Sequence, residues 1–187
     1  MTHDPRRLRE ALILQMSVDD AGDAALLDAL VDALPRGRAP ARARARLLAA
    51  AAADPWGPFV APLARLFEVA ADAARDMLGR IDMSVGWEPL LPNAQAMHFT
   101  GGPSTAGADV GFVRVEDGTD FPAHEHLGAE RNLVLRGTLV EADGTRHGPG
   151  DVFERGPGPL HAFRAEGDLI FAVVVFGVRF PGMPEPD

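Results

Sequence analysis

Two histidines one residue apart, His124 and His126, lie six and four positions before a carboxylate, Glu130, in the stretch "GTDFPAHEHLGAERNLVLRG" (Gly118 to Gly137). The 187-residue chain holds only six histidines, so this pairing asks for a reason. On an extended strand alternate side chains project to the same face, which sends His124 and His126 out together. Glu130 falls just past a turn at the start of the next strand, from where it can swing back towards the imidazoles. A third imidazole, His161, opens a strand after the Gly/Pro-rich turn of "GPGPLHAF". Imidazole suits Zn, Fe, Ni and Cu, and three imidazoles with one carboxylate can hold a divalent ion while leaving positions free. The plainer reading is a pair of core histidines satisfied by hydrogen bonds alone; the presence of a third histidine and a glutamate weighs against it. Among the rest, His98 in "AMHFT" reads as structural, His147 sits near a hairpin turn and His3 lies in a loose terminus.

The elements that must position these groups change character along the chain. Up to about Ile81 the apolar residues recur with a helical period. "AALLDALVDAL" sets Leu26, Leu27, Leu30, Val31 and Leu34 on one face, and Pro35 and Gly37 stop it. "APARARARLLAAAAA" has high helix propensity, and "DPWGP" at 54–58 breaks the pattern and places Asp54 and Pro58 to start another helix. "PFVAPLARLFEVAADAARDMLGRI" predicts one or two short amphipathic helices with Leu63, Leu66, Phe67, Met77, Leu78 and Ile81 inward.

From about Trp87 the period becomes two. "AQAMHFT", "ADVGFVRVED", "ERNLVLRG", "TLVEAD", "DVFERG", "LHAFRA" and "DLIFAVVVFGVRF" predict strands, separated by turns at "EDGT", "ADGT", "GPGD" and "AEGD". The run from Leu169 to Phe176 is apolar on both faces, which predicts a central strand or one lying under a second layer. The expectation is a mainly β protein with an N-terminal α region: helical residues 1–86, a β region over 87–180 and a frayed tail over 181–187.

Composition excludes several chemistries. There is no Cys, hence no disulfide, thiol nucleophile or cysteine-held zinc, and all 18 basic residues are Arg, which removes lysine Schiff bases and the P-loop lysine. A net charge of −9 argues against nucleic-acid binding, and the one basic stretch, "RGRAPARARAR", reads as a solvated helix start with no interleaved aromatics. No secretory signal and no bilayer-length apolar run is visible, so the chain reads as soluble and cytoplasmic, without membrane contact.

The histidine stretch resembles the first cupin motif: Gly118, five residues, His124-x-His126, three residues, Glu130, six residues, Gly137. The second motif is present in weakened form, from Gly150 to the His161 of "GPGPLH"; a usual proline is replaced by Gly156 and a usual asparagine by Ala165. The resemblance implies a double-stranded β-helix, a small jelly-roll barrel, with His124, His126, Glu130 and His161 as metal ligands inside it. Over roughly residues 40–178 the chain is further similar to ChrR-type anti-sigma factors. In those proteins an N-terminal helical domain holds a sigma factor through a zinc-dependent fold, and the cupin domain carries a second metal and the sensing function. The paired cysteines of that N-terminal zinc signature are absent here, so any sigma-factor contact must rest on helix packing.

The resemblance therefore implies a metal-binding regulatory protein, with zinc the first expectation and Fe, Mn or Ni the others, a small-molecule ligand at the open position, and a homodimer. The alternative is a metal-dependent cupin oxygenase or related enzyme, with the ion serving as Lewis acid or oxygen activator. No residue stands out as a general base, and the catalytic residues of such an enzyme are not legible. Arg114, Arg131 and Arg136 are the arginines that could face a ligand, although Arg on a strand is usually solvated.

Overall fold

The computed structural model describes residues 54–181. The helices expected over 22–34 and 39–53, and all but the first residue of the expected tail, lie outside the described residues. The described chain begins with a 3₁₀ turn at Gly57–Phe59, with Pro58 in its first turn, and continues into α1 (Val60–Phe67) and α2 (Ala71–Gly79). In α1 the apolar residues Val60, Leu63, Leu66 and Phe67 share one buried face, as their spacing requires. The helix ends where Glu68 takes a left-handed conformation, φ 53°. Hydrogen bonds from Ser104, first its side chain and then its backbone N–H at 2.8 Å, lower the Glu68 pKa and tie the end of the helix to the loop before β3.

Nine strands follow: β1 (Glu88–Leu91), β2 (Ala94–His98), β3 (Asp109–Val115), β4 (Asp120–His126), β5 (Glu130–Glu141), β6 (Arg146–His147), β7 (Val152–Arg155), β8 (His161–Val175) and β9 (Val178–Arg179). All pairings are antiparallel. The sheet runs β1-β2-β3-β8-β4-β9, while β5 lies along β8 and carries β6 and β7. The 15-residue β8 is central, as its two-sided apolar sequence predicts. It pairs with β5 along its length and meets β4 through residues 161–164 and β3 through residues 169–175. This is the expected cupin architecture, a mainly β antiparallel sheet preceded by two helices, but its hydrogen-bond ladder does not close into a ring.

One expected turn and one expected strand boundary prove to be bends within strands. "AEGD" does not separate strands, and "ERNLVLRG" and "TLVEAD" are one strand: β8 continues through Gly167 and β5 through Gly137. Both glycines have φ of +70°, and the β5–β8 register slips between Val134 and Thr138. A Cβ on Gly137 would lie 2.8 Å from Leu169 Cα, so the strands cross at this kink with no room for a side chain. Gly within an alternating pattern signals either a turn or a bulge, and here the bulge keeps both strands whole.

Alternation along β8 divides the core. Ile170, Ala172 and Val174 face the helices with Leu63, Phe67, Leu78 and Phe112, while Leu169, Phe171, Val173 and Val175 face the opposite side with Phe121, Leu139 and Phe163. Each fully buried Leu or Phe of these layers contributes about 1.5–3 kcal/mol by leaving water. The inward helix residues expected from sequence are buried, except that Met77 is half-exposed and Ala74 takes a buried place beside Leu78. No described helix is long and apolar enough to cross a membrane.

Candidate metal centre

His124 and His126 lie on β4, Glu130 opens β5 and His161 opens β8, where it pairs directly with His124. The tertiary fold thus brings together the residues that the sequence set apart. The ring nitrogens of His124, His126 and His161 lie within 4.8 Å of one another. His124 and His126 are buried and His161 is half-buried at the end of its strand. Glu130, 8% exposed, places Oε2 3.5 Å from His126 Nε2.

The hydrogen bonds define what each ring offers. His124 Nδ1 donates to the Pro122 carbonyl at 3.0 Å, leaving the Nε2 lone pair free. His126 Nε2 and His161 Nε2 approach to 2.6 Å, so one accepts a proton held by the other. Arg155 lies 3.3 Å from His161 Nδ1, and since a guanidinium only donates, His161 carries its proton on Nε2 and passes it towards His126. His126 Nδ1 then keeps a proton that finds no protein acceptor although buried.

All three imidazoles are held neutral. Burial lowers the His124 pKa; it lowers that of His126 to about 4 and of His161 to about 3, in both cases assisted by the neighbouring His124 and Arg155. Burial also raises the pKa of Glu130, against the pull of Asn132 and Arg155. Neutral imidazoles crowded nitrogen to nitrogen beside a desolvated carboxyl are a donor set that a divalent cation fits: it would take the lone pairs that now compete for one proton.

Three further residues complete the surroundings and carry no motif. Arg155 reaches Glu130 through Nε at 3.5 Å and donates through Nη2 to Glu141. Glu141 Oε2 stands 3.9 Å from His161 Nδ1. Asn132, 2% exposed, shares the inward face of β5 with Glu130. Their arrival depends on strand pairing, since Glu130 lies opposite Arg155 in the β5–β7 register, and nothing local in the sequence announces that partnership.

Of the arginines considered from sequence, Arg114 lies over Trp87 and donates to Gln95, while Arg136 lies over Trp56 and pairs with Asp82; neither they nor Arg131 line this site. His147 stacks on Phe153 at 3.9 Å, outside the imidazole cluster. His98 is exposed at the end of β2. The cluster itself lies against a cavity of about 110 Å³ whose other walls are largely aromatic and aliphatic.

Comparison with known proteins places this arrangement. A search of the curated proteins finds no match. Among solved structures, the crystal structure of Rhodobacter sphaeroides SigE in complex with the anti-sigma ChrR matches with a TM-score of 0.51 at 22% identity, covering 83% of this chain and 77% of that one. An acetylacetone dioxygenase from Acinetobacter johnsonii matches with a TM-score of 0.46 at 15% identity, covering 52% of this chain and 72% of that one. The first of these likenesses is one of fold. The model of the ChrR Cupin-like domain matches residues 78–176, more than half of the sequence and the whole of the histidine cluster, and the chain belongs to that family.

Proposed function

We propose that this protein is a metal-binding regulator, related to anti-sigma factors, in which His124, His126, Glu130 and His161 hold one divalent ion. The observation that carries this reading is the set of three neutral imidazoles whose nitrogens gather within 4.8 Å beside a buried carboxylate. Zinc is the proposed ion: four nitrogen and oxygen donors without a thiolate suit it, and it supplies Lewis acidity without redox chemistry. Residues 87–180 form the sensing unit in this reading. Residues 1–86 form the helical region through which a partner is contacted, a sigma factor in the first instance, or a second copy of the chain in a homodimer. Sigma-factor binding would rest on helix packing alone, because the chain contains no Cys. The setting is a cytoplasmic one.

The cavity beside the imidazoles favours a second reading, a cupin oxygenase acting on a small molecule. Metal identity separates the two. Elemental analysis of protein purified without an affinity-metal column is expected to give about one zinc per chain. Iron in that place, with oxygen uptake on a small dicarbonyl compound, would establish the enzyme instead. His124→Ala or His161→Ala should remove most of the bound metal, whereas His147→Ala should leave it unchanged; equal metal content in all three variants would refute the ligand set.

A further inference from the structure

We propose that the helix-facing side of the sheet carries a second ligand site, apart from the imidazoles, which binds a small zwitterion of the α-amino-acid class between Arg114 and the neighbouring carboxylates Glu116 and Asp168. This goes beyond the regulator reading and does not depend on a metal.

Strand register places the charges. Gln95, Arg114, Ile170 and Arg136 lie side by side on four neighbouring strands, β2, β3, β8 and β5. Ile170 packs with the helix layer, so this row belongs to the side of the sheet turned away from the imidazoles. One pleat further on, about 6.8 Å along the strands, Glu116 follows Arg114 on the same face and Asp168 precedes Ile170. These two acids are neighbours just beyond the Val115–Leu169 pair, where the β3–β8 ladder ends. Both rows line a cavity of about 410 Å³, walled on its apolar side by Ile81, Pro89 and Leu91, which is room for a small molecule.

Arg114 is the source of the inference. Its half-buried guanidinium lies over the Trp87 ring at 4.4 Å, and Trp87 is itself tied through Nε1 to the Ile81 carbonyl at 3.4 Å. Nε donates to Gln95 Oε1, so the head group is fixed at one edge while both Nη groups remain. Among the described residues it forms no ion pair, whereas Arg136 in the same row is engaged by Asp82 at 3.1 Å. A guanidinium only donates, so Gln95 turns its oxygen to Arg114 and its amide N–H groups are left over beside it. A held guanidinium with an adjoining amide donor is built to receive a carboxylate.

The second row decides what else that ligand carries. Glu116 and Asp168 also form no ion pair among the described residues. Like charges across a ladder repel, and an ammonium between them removes the repulsion. A simple anion would meet these acids and a simple cation would meet Arg114. A molecule with both charges on one carbon satisfies both rows, and an apolar side chain on that carbon has Pro89 and Leu91 to lie against.

Calorimetric titration of the full chain with leucine, 4-methylpentanoate and 3-methylbutylamine tests the proposal; the last two are leucine without its ammonium and without its carboxylate. Leucine should bind roughly tenfold or more tightly than either, on zinc-loaded and on chelator-treated protein alike. Arg114→Gln should bring leucine down to the affinity of 3-methylbutylamine. Glu116→Gln combined with Asp168→Asn should bring it down to that of 4-methylpentanoate. Both acids are exposed, so that pair of substitutions decides the matter even where Arg114→Gln unfolds the chain by losing its contact with Trp87. Equal affinities for the three compounds, or no heat from leucine at tens of millimolar, would overturn the proposal. So would a leucine preference that survives the substitutions, or one that needs zinc, since the ligand would then lie elsewhere.

Discussion

At the scale of single residues, the site is governed by where His161 keeps its proton. Arg155 at 3.3 Å and Glu141 at 3.9 Å compete for the same ring nitrogen, Nδ1. With Arg155 as the partner, Nδ1 accepts and Nε2 keeps the proton. With Glu141 as acceptor, Nδ1 holds the proton and Nε2 is freed as a donor to a cation. Were Glu141 to close from 3.9 Å to hydrogen-bond reach of Nδ1, it would be the positioning residue for the metal-ready tautomer, in the way carboxylates behind metal-bound histidines commonly are. Glu141→Gln should weaken zinc binding by roughly 10–100-fold, measured by competition with a chromogenic chelator, with far smaller change in the melting temperature of the chelated protein.

The same rings set a pH dependence in the chelator-treated protein. His126 and His161 have folded pKa values of about 4 and about 3, below the ordinary 6.5, and that of His124 is lowered as well. The unfolded chain binds more protons below pH 6.5, so the stability these rings lend is fully present above that value and is lost as pH falls towards 4 and below. Glu130, whose pKa is raised, works in the opposite direction, but one carboxyl stands against three rings. Urea midpoints at pH 7.5 and pH 5 should therefore fall with acid, and a midpoint that rises would show that the rings are charged in the fold.

His124, His126 and Glu130 were legible because their spacing is local and one strand alternation explains it. Arg155, Glu141 and Asn132 were not, because their place depends on the pairing of β5 with β7 and β8, which no short stretch encodes.

At the scale of elements, the long strands β5 and β8 do most of the positioning, and their shared kink is the weak point. Period-two alternation located β2, β3, β5, β7 and β8 but not β1 or β6, and it ran β9 into the end of β8; the glycines within β5 and β8 suggested breaks that the tertiary pairing bridges. Gly137 combines φ of +70° with backbone atoms of Leu169 2.8 Å and Asp168 3.0 Å from where a Cβ would be. Gly137→Ala should therefore cost about 2 kcal/mol or more, the left-handed conformation alone accounting for ~1–2 kcal/mol. A denaturant titration reads this directly, and an unchanged midpoint would mean the kink can relax. By contrast Gly144, also at positive φ but with open space around it, should lose only the conformational part on the same substitution.

At the scale of the whole molecule, β8 and β5 present one face to the cavity and the other to α1 and α2. Asn132 and Val173 lie on the cavity side, while the adjacent Leu133 and Ala172 lie under the helices. Whatever moves these strands at the site is felt by the helix layer one residue away, which gives the proposed regulator a short route from pocket to helices. The helices are also part of the core. Leu63, Leu66, Phe67, Leu78 and Ile81 cover Phe112, Leu133, Leu135, Ile170 and Val174, and Phe67 stacks on Phe112 at 5.9 Å. A sequence period that changes at Trp87 suggests a separable β region able to fold alone; the packing leads to a different expectation. Phe67→Ala should cost about 3–5 kcal/mol, as for other large buried aromatics. A chain starting at Trp87 would expose that whole apolar face of β5 and β8 to water, an area of the kind that drives association. It should be insoluble or melt without cooperativity, even with zinc supplied. A chain starting at Asp54 should be soluble and melt in a single transition. Should the Trp87 chain instead melt cooperatively as a soluble monomer, α1 and α2 would be an appendage and the route from pocket to helices would lose its physical basis.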